Sequence, residues 1–271
     1  MIMTQQSVAM SGHVLIFDSG VGGLTIANEV RALAPDLSVD YAADTAFFPY
    51  GDKSDDALGS RLPDIAEALV EQASPDVFVI ACNTASTLAL EHVRARLDIP
   101  VVGTVPAIKP AVGLSRSGTI GLLATPGTIR REYTARLIAD FAADHKVIMH
   151  GSTDLVQLAE RHAVGDPVAM QEFREAQRPL FDQAGADQID TIVLACTHFP
   201  LIRGELAATV PHPVQFVDSG EAIARQTVRS LTGAASRRKD GGRVFVTGGD
   251  VQSSRLARIC GRFGFDRLCR I

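Results

Sequence analysis

The sequence predicts an α/β protein made of two similar, pseudo-symmetric halves, each built on a mostly parallel sheet. Three observations carry that reading. Apolar runs of strand length alternate with longer amphipathic stretches, which is the pattern of βαβ units. The pattern restarts near residue 119. Finally, VFVIACNTAST (77–87) has a counterpart in TIVLACTHFPL (191–201): each is an apolar run ending in Ala-Cys, and the two cysteines lie 114 residues apart.

In the first half, HVLIF (13–17) reads as a strand, followed by a glycine-rich turn and a helix over 24–34. SVDYAA (38–43) is a strand, and 54–73 has helical apolar spacing that Pro63 interrupts. DVFVIA (76–81) is a strand, 84–97 a helix and VVG (101–103) a short buried strand. The second half opens on the strand 119–125, a turn and helix over 126–142 and the strand 146–150. Helices follow over 154–161 and 167–185, then the strand TIVLA (191–195) with a turn and helix. A strand over 214–219 leads into a helix over 221–233. RVFVT (243–247) is a strand, and SSRLARICGRFG (253–264) closes the chain. Asp18 to Cys82 is 64 residues and Thr125 to Cys196 is 71, so each half runs from a strand–turn opening to a strand ending in Ala-Cys.

Composition bounds the function. The 271 residues are 46% hydrophobic and 21% charged, enough for a sizeable core. A net charge of −5 argues against a nucleic-acid or anionic-membrane binder. The cluster Arg237-Arg238-Lys239 is short and reads as a solvated loop. No apolar run reaches membrane-span length. MIMTQQSVAMSG (1–12) has neither a basic residue nor an apolar core, so it reads as a tail and not as a signal peptide, and the chain is expected in the cytoplasm. There, Cys82, Cys196, Cys260 and Cys269 are expected to be free thiols, and their spacing fits no zinc site.

Residues just past the carboxyl end of a strand in an open α/β sheet point into the ligand crevice. Cys82 and Cys196 both occupy that position, each at a turn toward a helix, where free N–H groups favour a thiolate. Asn83 and Thr84 follow one cysteine and Thr197 and His198 the other, donors suited to anionic oxygens. Two thiols facing one substrate could remove a proton from one face of a carbon and return it to the other, the geometry of a racemase or epimerase. Lysine is scarce and none sits in a Schiff-base context, so neither pyridoxal phosphate nor any other cofactor is expected, nor a metal. Cys260 and Cys269 lack polar neighbours of this kind and read as structural.

Other motifs leave alternatives open. In FDSGVGGL (17–24) the pattern lacks a phosphate-loop lysine, and Asp18 is a base, an ammonium partner or a helix cap. In DTAFFPYG (44–51), Tyr50 and Gly51 line a crevice or form an ordinary proline turn. Thr125 and Thr128 fit a helix N-cap. His198 is placed as an acid/base partner, whereas the other six histidines have no such context. Glu160, in LVQLAER, reads from its own surroundings as a surface residue.

FDSGVGGLTI, DTAFFPYGDKS, ACNTAS, ATPGT and LACTHFPL together resemble the glutamate racemases of the cofactor-independent aspartate/glutamate racemase superfamily, from about Val14 to Thr247. The resemblance implies two α/β domains with the active site in the cleft between them, L- and D-glutamate as substrate and product, a supply of D-glutamate for peptidoglycan, and a homodimer. It implies a first domain of 13–104 plus 214–271 and a second of 105–213. It implies that Cys82, assisted by Asp18, handles the α-proton of D-glutamate, and that Cys196, assisted by His198 and Glu160, handles that of L-glutamate. Asp18, Ser19, Tyr50, Gly51, Asn83, Thr84, Thr125, Thr128, Thr197 and His198 would surround the substrate. Two positions depart from the family pattern: many members carry a basic residue where this chain has Ala46 or Phe47, and a Tyr where it has Phe199. Aspartate or a hydantoin is the alternative substrate, and a non-catalytic acidic amino-acid binding protein the alternative class. A cysteine hydrolase would need one nucleophile with one histidine, not two matched thiols.

Overall fold

The computed structural model describes residues 11–231 and 242–271. Most of the N-terminal tail and the Arg237-Arg238-Lys239 cluster lie outside the described residues. The first half contains β1 (His13–Asp18), α1 (Leu24–Leu33), β2 (Ser38–Ala43), α2 (Asp55–Ala73), β3 (Val77–Ile80), α3 (Asn83–Arg96) and β4 (Val101–Gly103). After α4 (Ile108–Leu114) come β5 (Thr119–Ala124), α5 (Pro126–Arg130), α6 (Glu132–Phe141), β6 (Lys146–Gly151), α7 (Thr153–Ala163), α8 (Met170–Phe181), β7 (Thr191–Leu194), α9 (Arg203–Thr209) and β8 (Gln215–Val217). The chain ends with α10 (Gly220–Ser230), β9 (Arg243–Val246), α11 (Asp250–Arg262) and β10 (Arg267–Arg270).

These strands form two sheets, ordered β10-β9-β2-β1-β3-β4 and β6-β5-β7-β8, with every pair parallel. The run β2-β1-β3-β4 therefore has the same order as β6-β5-β7-β8. Each sheet is covered on both faces, which is why its central strands read as continuous apolar runs. In the first sheet α1 and α10 share one core with β1 and β3, and α2 and α3 cover the opposite face. Among the described residues no helix is long and apolar enough to cross a membrane, and no cluster of His, Cys, Asp and Glu could hold a metal ion.

Three details differ from the sequence expectation. Strand β8 is hydrogen-bonded to β7 in the second sheet, so the return to the first sheet begins at α10 and not at Val214. It fills the place that β4 fills in the first half. Helix α2 runs unbroken through Pro63. A proline there loses one backbone hydrogen bond and crowds the preceding turn with its ring, which together cost about 3 kcal/mol. Leu58, Leu62, Ile65, Ala66 and Leu69 are buried from the same helix, and each large apolar side chain contributes about 1.5–3 kcal/mol. Strand β10 has no sequence signal, because RLCR is a short and largely exposed edge with no apolar alternation.

At the foot of the first sheet, the fully buried Asp40 carboxylate faces His13 Nε2 at 2.8 Å and accepts from Arg243 Nε at 2.8 Å and its backbone N–H at 2.9 Å. Burial opposes the charge, but the bonds from His13 and Arg243 outweigh it and hold the carboxyl below its ordinary value. A depressed folded-state pKa contributes stability above the unfolded value, near 3.9, and that stability is lost as pH falls through the folded value. Asp40→Asn is expected to lose about 3 kcal/mol of stability at pH 7, the gap to wild type closing below about pH 4. Equal melting temperatures at pH 7 would refute this.

Candidate active site

The two cysteines sit at matching register positions. Ala81 N–H donates to Phe17 O at 2.8 Å, and Ala195 N–H donates to Leu123 O at 2.8 Å. Cys82 and Cys196 each follow directly, so β3 and β7 deliver a thiol to the same place relative to β1 and β5. The same alignment sets Asp18 against Ala124. Asp44 N–H donates to Asp18 O at 3.0 Å, as Ser152 N–H donates to Ala124 O at 2.9 Å. The halves match in backbone, but only one has a carboxylate at this position.

Cys82 is buried and is the residue preceding α3. The sequence leads one to expect a helix N-terminus that favours its thiolate, and the Ala85 and Thr84 N–H groups do act that way. Burial outweighs them, seconded by the Asp18 carboxylate, and the thiol is pushed well above its ordinary pKa. Cys82 is therefore a thiol at neutral pH. Asp18 does not cap α1, whose N-cap is Gly23 with no side-chain bond. Its Oδ1 accepts from Gly20 N–H at 2.8 Å and from the Ser19 hydroxyl at 3.5 Å.

Cys196 precedes a short 3₁₀ turn (Phe199–Ile202), not a regular helix. Its sulfur lies 3.8 Å from His198 Nδ1, and His198 Nε2 donates to Glu160 Oε1 at 2.8 Å. Burial disfavours the imidazolium, but the bonds to Cys196 and Glu160 prevail and raise the His198 pKa well above its usual value. Glu160, on α7, is only partly exposed and is not the free surface residue its local sequence suggests.

The halves interlock around these groups. Thr197 donates its hydroxyl to Asp18 Oδ2 at 2.9 Å, and Glu160 Oε1 also accepts from Val21 N–H at 2.8 Å. Asn83 and Cys196 line one small cavity, and the Asn83 side-chain amide oxygen is buried with no hydrogen-bond partner among the described residues. The Thr84 hydroxyl is 3.0 Å from that of Thr125 and 3.4 Å from that of Thr128. Thr125 also caps α5, accepting from Thr128 N–H at 3.2 Å, so it fulfils the N-cap reading as well.

Tyr50 and Gly51 lie in a 3₁₀ turn (Tyr50–Asp52) after a cis Phe48–Pro49 bond, not in an ordinary proline turn. Gly51 abuts the second half, since a Cβ there would stand 2.8 Å from Thr125 Cβ. The Tyr50 hydroxyl is engaged elsewhere, donating to Asp44 Oδ2 at 2.6 Å. The expected site residues thus lie at the facing ends of the two sheets, in the loops beside them or in the first turns of α3 and α5, except Glu160, which reaches in from α7. Sequence reasoning misses Arg131. Its nearly buried guanidinium donates to Thr84 O at 2.9 Å, Thr87 Oγ1 at 3.1 Å and Asp55 Oδ1 at 2.8 Å, tying the α5–α6 junction to α2 and α3. Nothing in REYTARL distinguishes it from the exposed arginines around it. Cys260 is buried in the apolar core and pushed up to about 12 by that burial, and all four cysteines are free.

The model of the Asp/Glu/Hydantoin racemase family matches residues 25–227. The chain is 45% identical over 260 residues to the glutamate racemase of Erwinia tasmaniensis, covering 95% of this chain and 91% of that one. It is 45% identical over 257 residues to the glutamate racemase of Salmonella gallinarum, covering 94% and 90%. Its fold is similar to the crystal structure of Escherichia coli glutamate racemase in complex with L-glutamate and the activator UDP-MurNAc-ala, with a TM-score of 0.91, 42% identity, and coverage of 97% and 98%.

Proposed function

Because this chain belongs to the Asp/Glu/Hydantoin racemase family, we propose that it interconverts L- and D-glutamate without a cofactor, using two thiols on opposite faces of the α-carbon. The observation that carries the reading is the shared register of Cys82 and Cys196 on halves joined by Asp18–Thr197 and Glu160–Val21 contacts.

In the L-to-D direction the Cys196 thiolate, beside the His198 imidazolium, takes the α-proton. The electron pair of the broken C–H bond stays on the substrate, held by the carboxylate and nearby donors such as Asn83 and Thr84. The Cys82 thiol then gives its proton to the opposite face, and that electron pair forms the new C–H bond. Cys196 is left as a thiol and Cys82 as a thiolate. Asp18 disfavours that thiolate, which drives Cys82 to regain a proton. D-to-L turnover is the reverse. Cys82 must then be ionised against its raised pKa, and binding of the substrate ammonium near Asp18 would lower that barrier by offsetting the negative charge.

The test is incubation with L-glutamate in deuterated water, without pyridoxal phosphate. D-glutamate bearing α-deuterium is expected, and its absence refutes the proposal. A panel including aspartate and a hydantoin checks the substrate. Cytoplasmic location, a homodimer and supply of D-glutamate to peptidoglycan belong to the same proposal, and sedimentation reports the dimer.

Glu160 offers a pH test. It helps raise the His198 pKa, and activity with L-glutamate needs the imidazolium, so activity falls as pH rises through that value. Glu160→Gln is expected to move this alkaline limb of kcat/KM to lower pH. An unmoved limb would remove Glu160 from the His198 charge system.

A further inference from the structure

We propose that Asp44 is a positioning residue for the glutamate site, its carboxylate fastening the segment 44–51 so that the Tyr50–Gly51 backbone is held against the threonines of the opposite half. The proposal rests on the racemase reading above.

Asp44 follows β2, the position that Ser152 holds after β6. Ser152 does what a residue there commonly does and caps a helix, accepting from Leu155 N–H at 3.1 Å. Asp44 does something else. Its fully buried carboxylate gathers four donors from three separate segments. Oδ2 accepts from the Tyr50 hydroxyl and from Arg61 Nε, both at 2.6 Å. Oδ1 accepts from an Arg61 terminal nitrogen at 2.7 Å and from the Thr247 hydroxyl at 2.6 Å. Thr247 also accepts from Ala46 N–H at 3.1 Å, and Phe47 N–H donates to Asp44 O at 3.1 Å, so the segment is stitched at its start as well as its end.

The far end of this segment meets the other half. Gly51 is in close contact with Thr125, and Asp52 Oδ1 accepts from Thr153 Oγ1 at 2.7 Å. The Tyr50 hydroxyl is bonded to Asp44, so what the turn offers a ligand is its backbone. The placement of that backbone depends on where Asp44 holds the ring. The groups facing the carboxylate are Arg61, Thr247 and Tyr50, and together they keep it charged against the effect of burial. A buried charge with a bidentate guanidinium and two hydroxyls has one favourable geometry, which suits a group that sets a loop to within a few tenths of an ångström.

The experiment compares wild type with Asp44→Asn, Tyr50→Phe, Thr247→Val and the double variant Asp44→Asn/Tyr50→Phe, reading KM and kcat for glutamate racemisation. Asp44→Asn is expected to raise KM about tenfold while kcat changes less than about threefold, since a misplaced loop weakens binding more than chemistry. Tyr50→Phe and Thr247→Val should raise KM in the same sense by smaller factors. The double variant should be no worse than Asp44→Asn, because both remove one coupled contact. An unchanged KM in Asp44→Asn, or a double-variant KM equal to the product of the single effects, overturns the proposal. If Asp44→Asn does not fold, unchanged KM values in Tyr50→Phe and Thr247→Val overturn it and raised ones support it. A wild-type enzyme that does not racemise glutamate would instead remove the underlying reading, whatever the variants do.

Discussion

Alanine at either Cys82 or Cys196 is expected to abolish racemisation in both directions, by a factor of about 10³ or more, since a positioned acid or base supplies about 10²–10⁴ and the second face has no substitute. Inversion needs a proton removed from one face and another delivered to the opposite one. The register puts one thiol at the end of β3 and the other at the end of β7, each one residue past an alanine hydrogen-bonded in the same way. The groups beside them differ. Burial, seconded by the Asp18 carboxylate, pushes the Cys82 thiol up, while Cys196 lies 3.8 Å from His198 Nδ1, whose pKa the bonds to Cys196 and Glu160 raise. Cys260→Ala is the control: that thiol lies in the apolar core, so activity should stay within about threefold and stability should fall by about 1 kcal/mol or less. The measurement is the growth of D-glutamate by circular dichroism. Either active-site variant retaining more than about a tenth of the wild-type rate would refute the two-thiol mechanism.

Gly22→Ala should be nearly as damaging. A Cβ at Gly22 would stand 2.5 Å from His198 Nδ1, 2.6 Å from Thr197 Oγ1 and 2.8 Å from the His198 backbone nitrogen. The methyl group would occupy the space in which His198 meets Cys196 and Thr197 meets Asp18. Backbone cannot yield as a long side chain does. Overpacking of this kind costs about 1–3 kcal/mol of stability. The larger effect falls on turnover, because a displacement of about 1 Å at a reacting group can cost about 10²-fold. A variant within about threefold of wild-type kcat would mean that the glycine serves only the turn. Gly20 is under similar constraint: a Cβ there would collide with Glu160 Oε1 and stand 3.1 Å from His198 Nε2.

Much of this is legible in the sequence. Cys82, Cys196, Asn83 and His198 announce themselves because strand ends in parallel sheets face the crevice, and the repeat doubles the signal. Glu160 is legible only through family resemblance: its partners, Val21 and His198, are 139 and 38 residues away, and helical periodicity carries no trace of such contacts. Arg131 and Asp44 escape for the same reason. Asp44 is in view within DTAFFPYG, but its partner Thr247 is 203 residues distant. The effect of the α3 terminus on Cys82 is misread from sequence because burial, which sequence does not report, outweighs a helix N-terminus. Membership of β8 is likewise ambiguous, because a three-residue strand fits either sheet until its neighbour is known.

The topology also orders events during synthesis. The second sheet is complete once β8 has emerged, and its chain is continuous from β5 onward. The first sheet is discontinuous: β9 and β10 come last, yet β9 pairs with β2. Until residues 243–246 leave the ribosome, the free edge of β2 stays uncovered and Asp40 lacks Arg243. A nascent chain of this kind therefore carries a finished second sheet and an unfinished first sheet side by side. Until then the β2 edge is open to wrong pairing with another chain, and β9 closes it.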